Sequence, residues 1–100
     1  MKYYYHATPF DNLVDIMING LVPGVDGLVY LCENPKDCCK FIYIRGCNHI
    51  LTVRVKVPKN LENTVIETFD HSQKFFNCRA FASTIPISSD RLDNYREWNI

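Results

Sequence analysis

Nine residues near the middle of the chain, His49 to Val57, alternate apolar and polar side chains, regularly from Leu51 onward. Leu51, Val53, Val55 and Val57 fall on one side and Thr52, Arg54 and Lys56 on the other. A period of two with β-branched residues on the apolar side predicts a strand with one face in a core. Pro58 follows and, having no amide proton to give, ends the ladder.

One amphipathic strand needs partners, and the flanking sequence supplies them. Tyr3 to Ala7 is short and aromatic, which suits a first strand. Thr8-Pro9 then offers a cap oxygen followed by a proline, predicting a helix that starts there. Phe10, Leu13, Val14, Ile16 and Met17 recur at helical spacing and predict its inward face, while Gly20 stands where a C-terminal glycine ends such a helix. Leu28 to Cys32 reads as a buried strand after the turn cluster Pro23 to Gly27. Asn34-Pro35 repeats the cap-then-proline device, so a second helix runs from Pro35 to about Ile44 with Cys38, Phe41 and Ile42 inward, closed by Gly46. Downstream, Thr64 to Phe69 and Phe75 to Ser83 are strand candidates joined by the polar turn Asp70 to Gln73. Ser88-Ser89-Asp90 suits the start of a single helical turn, and the rest reads as a polar and aromatic tail. Helices come early and strands late, with no helix between the last strands. That order favours antiparallel pairing and an α+β class over a parallel sheet. At 100 residues the chain supports one modest core, hence a single domain over residues 1–100.

Eleven basic residues balance eleven acidic ones. No global field therefore draws in a nucleic-acid backbone or an anionic membrane, and nucleic acid is not an expected partner. No charge-free run approaches the roughly 20 apolar residues of a membrane span, and Met1 to His6 lacks the apolar region of a signal peptide. Five cysteines, none at C-x-x-C spacing and two of them adjacent, argue against a disulfide framework or a zinc site. The expectation is reduced thiols, no metal and a cytoplasmic protein. Cys78 beside Arg79 is the single candidate for an activated thiolate, with buried packing as its ordinary role.

His6, in the run Tyr5-His6-Ala7-Thr8, stands at a strand end, where an imidazole held by the sheet can offer a ring nitrogen to a ligand. Its plainer role is a bond to the adjoining turn. Tyr30, in Gly27-Leu28-Val29-Tyr30-Leu31, pairs a ring that can stack on a flat ligand with a hydroxyl that can orient one; its plainer role is packing. Asp70-His71-Ser72 lies in a turn and is no hydrolase triad, since triads bring distant segments together. If the closing strand lines a cleft, His71 and Arg79 suit a phosphate or pyrophosphate. Tyr3-Tyr4-Tyr5 with Tyr95 and Trp98 form either a patch for a protein partner or part of the core.

Taken in order, Tyr5-His6-Ala7-Thr8, the helix end Asn19-Gly20-Leu21, the Pro-Gly turn and Gly27-Leu28-Val29-Tyr30-Leu31-Cys32-Glu33-Asn34-Pro35 with its short helix resemble small ADP-ribosyltransferase-like domains. That fold is shared by NAD-dependent toxins, poly-ADP-ribose polymerases and RNA 2′-phosphotransferases. Residues 3 to 44 carry the resemblance by motif, and Ile85-Pro86-Ile87 before Asp90-Arg91-Leu92 is similar to the closing Ile-Pro turn of the group. The resemblance implies an antiparallel-rich split sheet with two short N-terminal helices, and NAD or an NAD-derived nucleotide as substrate or ligand. It implies that His6, with Thr8 beside it, binds the adenosine ribose and that Tyr30 stacks on the nicotinamide. The family's third motif is a late-strand glutamate that stabilises the cation forming at the glycosidic carbon. The matching strand, Phe75 to Phe81, has no carboxylate. Glu67 on the preceding strand is the candidate substitute, followed by Glu33. The phosphotransferase subgroup fits no better, since it relies on several arginines and histidines around a phosphate and only Arg79, His71 and Arg45 are on offer. Three outcomes stay open: an active transferase, a degenerate nucleotide receptor, or a scaffold that binds a partner protein, as in phage or mobile-element inhibitors of host machinery.

Overall fold

The computed structural model describes residues 1–68 and 79–100. In chain order the described elements are strand β1 (Lys2–Pro9), a 3-10 turn (Phe10–Asn12), helix α1 (Leu13–Asn19), β2 (Val29–Cys32), α2 (Pro35–Tyr43) and β3 (His49–Val57). A 3-10 turn (Lys59–Thr64), β4 (Val65–Thr68), β5 (Ala80–Ser83), a 3-10 turn (Ser89–Arg91) and β6 (Leu92–Asn99) complete them. The class is α+β: six strands form one sheet in the order β4-β5-β2-β1-β3-β6, and every neighbouring pair is antiparallel.

β3 lies one strand in from the β6 edge and pairs along its length with two long neighbours. It runs in register with β1 from Lys2 opposite Val57 to Pro9 opposite Ile50, and with β6 on its other side. Leu51, Val53, Val55 and Val57 are buried with Tyr4, Leu31, Phe81 and Leu92, closed over by Ile16 of α1 and by Leu21 and Ile87. The opposite face is less open than the polar pattern of β3 predicts. α2 packs on it, Cys38 Sγ donates to the Tyr5 carbonyl at 3.1 Å, and Thr52 is buried, its hydroxyl accepting from the Trp98 indole at 2.8 Å.

Several expectations need correction. The helix predicted at Thr8-Pro9 starts later, because Thr8 and Pro9 are still paired with Leu51 and Ile50 of β3. The ladder overrides the local cap, and the Thr8 hydroxyl accepts from the Asn12 side chain at 2.8 Å instead. α1 buries Ile16 alone, with Leu13 half-buried, and leaves Val14 and Met17 outward. The tail is no tail but the edge strand β6. Its pattern is broken by a bulge, for the register slips between Thr52 and Arg54 and Asn94 takes φ 49°. The turn at Ser88-Ser89-Asp90 forms over Ser89–Arg91 without a side-chain cap. The Asn34-Pro35 device holds as read, Asn34 Oδ1 accepting from the Lys36 amide at 2.8 Å. The strand expected over Phe75 to Ser83 is described as Ala80–Ser83, and the turn Asp70 to Gln73 lies outside the described residues.

One irregularity positions everything that follows. β1 shares eight aligned residues with β3 but one aligned pair, Tyr5 opposite Cys32, with β2. Beyond that pair the two strands splay, and the sheet is split between His6 and Tyr30.

Candidate functional site

The split is bridged by a side chain where a backbone ladder would otherwise run. His6 Nδ1 lies 2.7 Å from the Tyr30 carbonyl oxygen. A carbonyl only accepts, so the proton sits on Nδ1 and the neutral ring keeps a lone pair at Nε2. Burial holds the His6 pKa below its ordinary 6.5, against a smaller opposing pull from the Tyr30 carbonyl. The uncharged, acceptor-bearing form is therefore favoured near neutrality.

Tyr30 is clamped at its other end as well. Its hydroxyl donates to Oδ2 of Asp26, four residues upstream in the turn, while Asp26 Oδ1 accepts from the Leu28 amide at 3.1 Å. The Tyr30 hydroxyl first, and that amide second, hold the Asp26 carboxyl below the usual carboxylate range. The ring between these anchors is 47% exposed.

Two grooves meet at the split, and His6, Thr8 and Tyr30 line both. The larger, about 450 Å³, runs between β1, β2 and α2 over an apolar floor that includes Cys32, Cys38 and Phe41, with the exposed Arg45 at its rim. The smaller, about 290 Å³, runs beside α1 and is lined by Asn12, Asp15 and Val22. An apolar floor with a few convergent polar groups is the ordinary make-up of a small-molecule site.

Of the residues singled out from sequence, the structure thus brings together His6, Thr8 and Tyr30, with Arg45 lining the larger groove. Glu67 and Arg79 stand elsewhere. Arg79 Nε and Nη2 donate to the two carboxylate oxygens of Glu67 at 2.9 and 3.1 Å, with Glu33 at 4.0 Å from Nη1, and the guanidinium lies over the Phe81 ring. Arg79 holds the Glu67 carboxyl below the usual range, and neither residue lines either groove. His71 and Cys78 lie outside the described residues. Asp26 was missed: its one signal in sequence is an acid in a Gly-flanked turn four residues before the tyrosine.

The cysteines at 32, 38, 39 and 47 are free thiols, the first three buried. Burial pushes the Cys38 thiol well up and Cys39 to about 11, which suits packing over nucleophilic chemistry. Among the described residues no group of three or more metal-binding side chains comes together, and no helix is long and apolar enough to cross a membrane. No protein-family model matches the chain, and a search of curated proteins returns no match.

Proposed function

We propose that the split-sheet groove binds an NAD-class nucleotide, in the manner of an ADP-ribosyltransferase-like domain that recognises its ligand without turning it over. The observation that carries this reading is the 2.7 Å bond from His6 to the Tyr30 carbonyl. It leaves Nε2 as an acceptor for a ribose hydroxyl and ties that acceptor to the backbone of the residue whose ring forms the aromatic wall. A ribose needs a directional polar contact and a flat cationic ring needs a π face, and the two are held side by side here.

Recognition without turnover is the reading that the placement of Glu67 favours. Departure of nicotinamide leaves positive charge at the glycosidic carbon, which a transferase stabilises with a carboxylate aimed at it. Among the described residues lining the larger groove there is no Asp or Glu, and Glu67 is neutralised by Arg79. Calorimetric titration with NAD and with ADP-ribose, with nicotinamide release followed in the same samples, tests both parts. Binding that disappears in His6→Ala and Tyr30→Ala, without release, is the expected result. Release at a steady rate refutes the receptor reading, and no heat at millimolar ligand refutes the nucleotide reading.

A further inference from the structure

The apolar repeat of the first helix spells out more face than the fold uses. Val14 is 65% exposed and Ile18, one turn on, is 70% exposed; Met17 at 54% and Val22 at 69% continue the surface, and Val25 stands out from the following turn. Contiguous apolar surface of this kind on a small domain marks an interaction site, whereas single exposed residues need no explanation. Asp11, just before α1, and Asp15, on it, are exposed carboxylates, and the chain has no lysine or arginine between Lys2 and Lys36. The turn packed against α1 adds the exposed Asp90, while Arg91 of that turn is directed inward, its Nε donating to the Lys56 carbonyl at 3.0 Å. Val22 and Asp15 also line the smaller groove, which gives the apolar face a carboxylate-walled recess at its side.

We infer that the α1 face docks a basic amphipathic helix of a partner protein, its apolar side on Val14, Ile18 and Val22 and a Lys or Arg side chain in the recess beside Asp15. Charge complementarity selects this occupant over the others. A second copy of this face would bring two sets of the same carboxylates into one interface, and an anionic bilayer would be repelled by them. A helix that is leucine-rich on one side and lysine-rich on the other satisfies both the apolar surface and the acidic rim.

The probe is a synthetic peptide of leucine and lysine of about 18 residues, five helical turns, with its leucines on one face. It is titrated into the isotopically labelled full chain alongside a scrambled peptide and a leucine-glutamate version. The patterned basic peptide is expected to bind with amide shifts centred on Val14, Ile18 and Val22. Ile18→Lys should weaken it about tenfold or more, and Asp15→Asn should weaken it less while lowering its salt dependence. Both positions face outward, so the variants keep the wild-type circular dichroism and melting; Val14→Lys replaces Ile18→Lys if the latter does not. Equal binding of the scrambled or acidic peptide, shifts centred elsewhere, no binding, self-association through this face in sedimentation, or uptake by phosphatidylglycerol vesicles would each overturn the inference.

Discussion

His6 and Tyr30 are joined across the splay of β1 from β2 by a hydrogen bond from the imidazole Nδ1 to the tyrosine backbone carbonyl at 2.7 Å. The bond couples a titratable group to the geometry of the groove, and its pH dependence has a definite sign. Folded His6 has its pKa below the ordinary 6.5, chiefly through burial. The unfolded chain thus takes up this proton first as pH falls. The stability that depends on neutral His6 is complete above about pH 6.5 and is lost from there down towards the folded value. Melting temperatures of the wild type should therefore fall more steeply below that pH than those of His6→Gln. Parallel curves would remove burial of the imidazole as the cause. NAD affinity should fall in the same direction, because protonation turns the Nε2 acceptor into a donor.

The Asp26 carboxylate holds the far end of the same tyrosine, so it acts on a ligand through Tyr30. Asp26→Ala takes away the acceptor for the Tyr30 hydroxyl and for the Leu28 amide; Asp26→Asn keeps an acceptor oxygen. NAD affinity should drop several-fold in the alanine variant and be largely restored in the asparagine one. Tyr30→Phe should lose no more than Asp26→Ala, which also strips the Leu28 amide of its acceptor, and the double variant should be no worse than Asp26→Ala, since the hydroxyl contact is already broken there. Additive losses in calorimetry would show that Asp26 works by another route.

Glu67 gives the sharpest test of recognition against turnover. Its two carboxylate oxygens are taken by Arg79, and it lines neither groove. Glu67→Gln should leave the NAD dissociation constant within about twofold of wild type, the scale of a neutral surface change. If wild-type protein releases nicotinamide and this variant does not, Glu67 is a catalytic residue after all.

How far the sequence led depended on whether an element's pattern was local. β3 and α2 carry their own periods and caps, and both form where read, with Asn34 making the cap bond. β6 hides because its bulge changes the phase partway: Leu92 and Tyr95 both reach the core, yet they are three residues apart, which breaks the strand period of two. α1 misled in the other direction, since its apolar spacing is genuine but the fold lays only part of it on the sheet. The site divides in the same way. His6 and Tyr30 were singled out by residue type and motif, but the strand end expected at His6 is not there, since β1 stays paired with β3 through Pro9. The pairing of Glu67 with Arg79, however, is set by β4 lying against β5, a contact between segments separated by residues 69–78.

Gly20 ties α1 to the end of the chain, and its substitution tests that junction. It sits at φ +73°, and a Cβ there would lie 2.2 Å from the carbonyl oxygen of Ile87. That carbonyl accepts from the Leu21 amide at 2.8 Å, and the Ile87 amide returns a bond to Leu21 at 2.9 Å, with both side chains buried in the core. Gly27 has a similar φ, +77°, but open space around it. Alanine at either position meets the left-handed backbone penalty of about 1–2 kcal/mol. At Gly20 alone it must also displace a paired backbone carbonyl. Gly20→Ala should cost about 3 kcal/mol or more, and Gly27→Ala about 1–2 kcal/mol. Urea unfolding followed by the fluorescence of Trp98, the single tryptophan, measures both, since its indole is anchored on Thr52 of β3. Equal losses at the two glycines would mean that the Leu21–Ile87 junction yields without resistance, and the close approach of α1 to the chain end would then contribute nothing to stability.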